Sequence, residues 1–442
     1  MSPVCDLTAH RLQSLLARAQ STGRLPSLVA GVVRDGGLAW AGTHGAHTGG
    51  GAPSADLQYR IGSITKTMTA VLVLQLREEG LLDLNDPIGQ HLPGIGYADR
   101  TIRGLLAHSS GMQSEPVGPW WERSPGGSFE QLAAGVDDAA TAHAAGTTYH
   151  YSNLAFGILG ELVARLRGGS WWAQVQQRIL TPLGMERTSY LPQEPAATGY
   201  SVHHFTGTLH EEPAQDAGAT APAGQVWSTV ADLARWAGFL VDGHDGVLSC
   251  AVVDEMATPQ SGSRDGVGYG LGLRLVGGGS GTLVGHTGSM PGFVAGLFAD
   301  RGRRTGAVVL ANATTGLRSV DLIVELLEAL EELEPTVAAA WEPSTEVPRA
   351  VDEVLGIWHW GNTAEAFAWD NGTLAVTALA DGQERYRFAP RPDGTFVGVS
   401  GYHHGETLRV VRNEDGSINH LVCATFIYTR TPYDPRAPIP GP

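Results

Sequence analysis

The alternation of apolar and polar positions along the 442-residue chain changes period several times. Residues 7–20 place leucines at helical spacing, and Gly23 marks an exit from that helix. SLVAGVV and GLAWAG, separated by Arg34-Asp35-Gly36-Gly37, predict a hairpin. Residues 63–79 read as a helix ending at Gly80, with an apolar face of Met68, Val71, Leu72, Leu74 and Leu76. From 101 to 245, short helices at 154–166 and 229–240 alternate with long loops rich in Gly and Pro. Strand-like runs return at 271–276, 282–285, 293–299 and 306–311, followed by a helix at 319–333. Terminal helices around a β-rich frame, with a helical and loop-rich insertion, predict an α+β fold.

Residues 335–349 lose this periodicity and hold three prolines, Pro335, Pro343 and Pro348, so a linker is expected there between domains at 1–334 and 350–442. Beyond it, Asn371-Gly372, Asp381-Gly382, Asp393-Gly394, His404-Gly405 and Asp415-Gly416 recur between strand-like stretches. Turn signals at that rhythm predict an up-and-down antiparallel meander, closed into a small barrel or strongly curled.

Charge and composition narrow the function. The formal net charge of −16 argues against a nucleic-acid-binding or anionic-membrane-binding face, either of which needs a basic surface. No apolar run has the length of a transmembrane helix. The N-terminus, with Asp6, His10 and Arg11, has no apolar core of a signal peptide, so a cytoplasmic location is expected. Cys5, Cys250 and Cys423 form no CxxC pair and read as small buried hydrophobes. His203-His204 and His403-His404 are adjacent pairs whose rings diverge on a strand, so no metal site is expected. Glu78 and Glu79 read as a solvated helix end.

Of the 29 basic residues only Lys66 is a lysine; the remainder are arginines. Lysine, unlike arginine, can lose its proton near neutral pH when desolvated, which marks Lys66 as a candidate general base. Ser63 lies one helical turn before it, on the same face and at the positive end of the helix dipole, and so is a candidate nucleophile. Tyr151 and Asn153 stand two residues apart, able to relay a proton and to hold a substrate amide. His286-Thr287-Gly288-Ser289 falls between the strand-like stretches LVG and FVAGLF, where a backbone amide can face an oxyanion. Trp120, Trp121 and Trp227 are candidates to line a peptide cleft. Arg430 is a candidate to reach a substrate carboxylate.

Taken together, SxxK at Ser63–Lys66, YSN at Tyr151–Asn153 and HTG at His286–Gly288 resemble the penicillin-recognising serine hydrolases, in their class C-like branch. TIRGLLAHSSGM, TPLGM and WSTVADLARW add local likeness, and the resemblance covers most of residues 7–333. It implies a β-lactamase/DD-peptidase-like domain, an antiparallel sheet with flanking helices plus a helical subdomain. HTG in place of KTG leaves His286 as a weak, pH-dependent cation where the family carries a fixed one. PWWER at 119–123, the C-terminal meander and the ending YTRTPYDP resemble the stand-alone penicillin-binding-protein-type thioesterases, which carry a lipocalin-like domain and release nonribosomal peptides as macrolactams. That likeness implies a peptidyl thioester substrate presented by a carrier protein, with a D-configured acyl residue, and no metal or organic cofactor. It also implies Lys66 as base, Tyr151 with His286 as proton relay, the N–H groups of Ser63 and Ser289 as oxyanion hole, and Asn153 as substrate anchor. A plain esterase or D-aminopeptidase, or a slowly turning over peptide-binding protein, remains compatible with the same residues.

Overall fold

The computed structural model describes residues 3–46, 51–262, 268–278, 281–335, 343, 346–370, 372–434 and 436. The chain divides into two compact units, Met1–Val337 and Ala338–Pro442. Of the expected linker, residues 336–342 and 344–345 lie outside the described residues, as does Asn371 of the first barrel turn.

The first unit is built on an eight-stranded sheet. Helix α1 (Asp6–Gly23) leads into the hairpin β1 (Ser27–Arg34) and β2 (Gly37–Gly45). The buried face of α1 is Leu12, Leu15 and Leu16, as the spacing predicts. Its exit differs by one residue. Arg24 takes the left-handed conformation at φ +54°, while a side chain at Gly23 would meet the Gly316 carbonyl at 2.6 Å. Gly23 therefore serves close approach, not helix termination. The other strands are β3 (Ser261–Gly262), β4 (Gly268–Tyr269), β5 (Arg274–Gly278), β6 (Gly281–Met290), β7 (Phe293–Asp300) and β8 (Thr305–Ala311). Their order is β2-β1-β8-β7-β6-β5-β4-β3, antiparallel throughout.

Both faces of the central strands are covered, which is why β1 and β8 read as continuous apolar runs. On one face α1 packs with helix α5 (Ser319–Leu333), burying Leu16, Leu28, Phe298, Val309 and Ile323 together. The larger core lies on the other face, where helix α4 (Val230–Asp242) packs on the sheet and helices α2 (Thr65–Glu78) and α3 (Asn153–Arg167), packed on each other, join the same apolar cluster of Met68, Leu72, Ile158, Trp236 and Leu297. Helix α2 is buried along nearly its whole length. Its hydroxyls are consequently paired, Thr67 accepting from Trp236 Nε1 at 2.9 Å and Thr69 from Trp171 Nε1 at 3.1 Å. The end of this helix is more tied than its charges suggest, since Glu79 pairs with Arg167 and with Arg178.

The second unit is a closed barrel of eight strands. They are β9 (Gly356–Trp360), β10 (Thr363–Asp370), β11 (Thr373–Ala378), β12 (Glu384–Pro390), β13 (Phe396–Ser400), β14 (Thr407–Arg412), β15 (Ile418–Cys423) and β16 (Phe426–Thr429). Among the described residues, Asp381-Gly382, Asp393-Gly394, His404-Gly405 and Asp415-Gly416 each join consecutive strands between β11 and β15. The first hairpin, after Trp360, turns on Gly361-Asn362 with Gly361 at φ +60°, whereas the last, after Cys423, turns on Ala424-Thr425 without a glycine. Pairing of His359 with Thr429 and Trp360 with Tyr428 closes the ring, and closure removes both open edges. Trp358, Phe367, Phe388, Phe396 and Tyr428 fill its core. The fold is therefore a β-lactamase/DD-peptidase-like α+β domain followed by a small lipocalin-like barrel. Two cysteines depart from expectation. Cys423 is buried, but Cys5 and Cys250 are exposed because each stands at the solvent-facing start of a helix.

Candidate active site

A single 3₁₀ turn, Gly62–Ile64, delivers Ser63 to the start of α2. Gly62 has φ +52°, and a side chain there would come within 2.5 Å of the Ser289 backbone nitrogen. Only glycine lets strand β6 run this close to the nucleophile, which brings the Ser289 backbone against the residue preceding Ser63. Lys66 follows one turn later and is fully buried. Its Nζ lies 2.9 Å from Ser63 Oγ, 2.7 Å from Asn153 Oδ1 and 2.7 Å from the Ala223 carbonyl. Burial lowers the Lys66 pKa to about 7, against the opposing pull of the Glu115 and Glu122 carboxylates. Near neutral pH the amine is thus poised to accept a proton.

Tyr151 donates to Ser63 Oγ from its phenol at 2.9 Å. Burial raises its pKa, so it stays a neutral donor. Ser152 caps α3, accepting from the Ala155 amide at 3.1 Å and donating to the Gln113 carbonyl at 2.7 Å. With the cap on Ser152, Asn153 is free to turn its amide into the site.

His286 is a correction. It does not sit in a turn between strands; it lies within β6, facing the interior and 3 % exposed. Its Nδ1 is 2.5 Å from the Thr287 carbonyl and its Nε2 is 3.0 Å from the Tyr269 hydroxyl. A carbonyl only accepts, so Nδ1 carries the proton and Nε2 accepts from Tyr269. Burial, with the charge of Lys66 added, lowers the His286 pKa to about 3, so it is not a cation at neutral pH. Its ring centroid is 6.1 Å from that of Tyr151, and the two form no hydrogen-bonded relay.

The cation of this site is Arg274, which sequence reasoning missed. The hairpin of β5 and β6 pairs Arg274 with Gly285, so its side chain reaches Thr287 Oγ1 at 3.4 Å. Ser63, Tyr151, Tyr269, Arg274, Thr287 and Ser289 all border one cleft of about 400 Å³. A larger hollow of about 550 Å³ lies between α3 and residues 218–222, lined by Trp171, Trp172 and Tyr190, with none of the Ser63 group in its wall.

One expected substrate contact, Trp227, does not line the cleft. Trp227 is 2 % exposed, pairs on a short strand with Arg60 and packs edge-on against Phe293 at 5.1 Å. It is a core residue. Arg430, in the second unit, lies 3.8 Å over the Trp358 ring and donates to the Ile357 carbonyl at 3.1 Å and the Glu353 carbonyl at 3.3 Å. Trp121 donates to Glu115 at 2.7 Å, whereas Trp120 is 61 % exposed and donates to Glu122 at 3.0 Å. Among the described residues no cluster of His, Cys, Asp and Glu is arranged to hold a metal ion. No helix among them is long and apolar enough to cross a membrane.

Comparison with known proteins places this geometry. Residues 12–330 match the Beta-lactamase family, and residues 347–430 match a domain of unknown function. Penicillin-binding protein 4 of Amycolatopsis lactamdurans is 30 % identical over 359 residues, covering 74 % of this chain and 91 % of that protein. Matches in Homo sapiens and Escherichia coli span only about half of those relatives' lengths. The crystal structure of SurE superposes with a TM-score of 0.61 at 26 % identity, covering 96 % of this chain and 99 % of that one. SurE is also known with D-Leu, at 25 % identity and a TM-score of 0.59. A D-stereospecific amidohydrolase from Streptomyces sp. superposes at 0.61 with 28 % identity, covering 73 % of this chain and 98 % of that one. A family match of this length encloses a serine already in contact with a desolvated lysine and a neutral phenol, and on that ground the chain belongs to the β-lactamase and penicillin-binding-protein family of serine hydrolases.

Proposed function

We propose that this enzyme takes a peptidyl thioester onto Ser63 and releases the peptide as a head-to-tail macrolactam. The observation that carries the reading is the pairing of the Ser63 site with a C-terminal barrel, shared along 96 % of the chain with SurE. The D-Leu bound to SurE favours a D-configured acyl residue.

Ser63 Oγ attacks the thioester carbonyl while its proton passes to Lys66 Nζ. The oxyanion rests against the amides of Ser63 and Ser289. Collapse breaks the C–S bond, and the Lys66 proton leaves with the thiol. The peptide's own amine then attacks the Ser63 ester, gives its proton to Lys66, and Ser63 departs with that proton restored. Tyr151, held on Ser63 Oγ, steadies the oxygen in both half-reactions without help from His286. Asn153 takes no direct substrate role in this scheme, since both ends of its amide are engaged. The donor is expected on a peptide carrier protein in the cytoplasm.

A second reading, hydrolysis of peptides or amides ending in a D-residue, is favoured by Arg274. A guanidinium beside Thr287 is placed to hold a substrate carboxylate, and macrolactam formation leaves no such carboxylate. A peptidyl N-acetylcysteamine thioester with a free N-terminus and a D-configured C-terminal residue separates the two. Mass spectrometry is expected to find mainly a ring one water lighter than the free acid, because a held amine outcompetes water through high effective molarity. Linear acid as the sole product from several such thioesters would establish the hydrolase instead.

A further inference from the structure

Three partners surround Lys66 Nζ, and they differ in kind. Asn153 Oδ1 and the Ala223 carbonyl can only accept, whereas the Ser63 hydroxyl can also donate. A neutral amine has two N–H bonds and one lone pair. If both N–H bonds point to the two obligate acceptors, the lone pair must face Ser63, which is the orientation a base needs.

This holds only while Asn153 presents its oxygen to Lys66. An asparagine amide can turn over, and a flipped Asn153 would offer Nδ2–H to the Lys66 lone pair and block it. Glu115 bears directly on that choice. Its Oε1 accepts from Asn153 Nδ2 at 2.7 Å, and its Oε2 accepts from Trp121 Nε1 at 2.7 Å. An ionised carboxylate has no proton to offer, so a flipped amide would set oxygen against oxygen. The backbone around Glu115 is tied to the same element: the Asn153 amide donates to the Ser114 carbonyl at 2.7 Å, and Gln113 Nε2 to the Glu115 carbonyl at 2.8 Å.

We propose that Glu115 is a positioning residue: by fixing the orientation of the Asn153 amide, it aims the Lys66 lone pair at Ser63. The proposal rests on Lys66 acting as the base. Other groups also face Lys66: Glu122 adds negative charge, His108 and His286 are held neutral by burial, and Tyr151 is a neutral phenol. Each stays in place in the variants below.

The test is the pH profile of acylation of the full chain by p-nitrophenyl butyrate, followed by p-nitrophenolate release and by the intact mass of the Ser63 adduct. Glu115→Gln permits the flip, because glutamine can donate or accept. Its kcat plateau is expected to fall about tenfold, with KM little changed and the acid limb moved to lower pH by loss of a nearby negative charge. Glu115→Gln combined with Asn153→Asp restores acceptors only toward Lys66. This double variant is expected to recover most of the plateau, with the acid limb moved to higher pH. Far-ultraviolet circular dichroism and thermal unfolding confirm that each variant is folded. A change confined to KM in Glu115→Gln, or a double variant no faster than the single, overturns the proposal. Nitrophenolate release that persists in Ser63→Ala, or that leaves no Ser63 adduct in the wild type, overturns the acyl-enzyme reading beneath it instead.

Discussion

Lys66→Met tests the central electrostatic claim without recourse to substrate. In water a lysine amine ionises near 10.5, and burial here lowers that value to about 7. At pH 7 about half the molecules then carry a neutral amine, against about one in 3,000 for an unperturbed lysine. The same shift makes a statement about stability. Below pH 7 the amine is charged in both folded and unfolded chains, and the folded chain bears the full cost of a buried charge. Between pH 7 and 10.5 the unfolded chain holds the proton and the folded chain does not, so stability rises with pH. Above 10.5 both forms are neutral and the cost is gone. The slope in the middle window approaches about 1.4 kcal/mol per pH unit. From pH 7.5 to 9.5 the wild type is therefore expected to gain roughly 2–3 kcal/mol relative to Lys66→Met. Methionine also abandons Asn153 and Ala223, but that loss is constant across the window and leaves the slope untouched. His108 and His286, whose pKa values are held low partly by Lys66, remain neutral throughout it. Urea unfolding at several pH values measures the difference. Parallel curves for the two proteins would mean that Lys66 is not desolvated, and the acid limb of kcat/KM expected near pH 7 would lose its basis.

Two further outcomes follow from the corrected site. Arg274→Gln removes the cleft's guanidinium and is expected to weaken a peptide with a free C-terminal carboxylate by about tenfold to a hundredfold in kcat/KM, while leaving a neutral ester unaffected; equal losses for both substrates would deny it a carboxylate role. Trp227→Ala empties a buried site against Phe293 and is expected to cost about 3–5 kcal/mol in urea unfolding, and a drop in substrate affinity without that destabilisation would return Trp227 to the cleft.

Local pattern determined more of this protein than its long loops suggest. The helices at 6–23, 153–167 and 319–333 and the first hairpin follow from spacing and turn residues, because those interactions close within a few positions. Ser63 and Lys66 meet for the same reason, being one turn apart where the 3₁₀ turn runs into α2. The barrel was legible because each hairpin needs its own turn, and most of those turns are written as Xaa-Gly.

What tertiary structure decided is mostly electrostatic. No local rule says that a lysine will be fully buried, yet burial makes Lys66 a base and makes His286 a neutral acceptor rather than a cation. Arg274 went unnoticed because the Gly/Ser run at 277–281 does not pin the hairpin register that sets it beside the third motif. Glu115 lies in a loop with no motif, and its role exists only where residues 113–115 run against the start of α3. Trp227 carries a side chain suited to a binding site, but packing against Phe293 had already claimed it. Residue type states what a side chain can do; which partner arrives first, and whether water is excluded there, is settled only by the packing of distant segments.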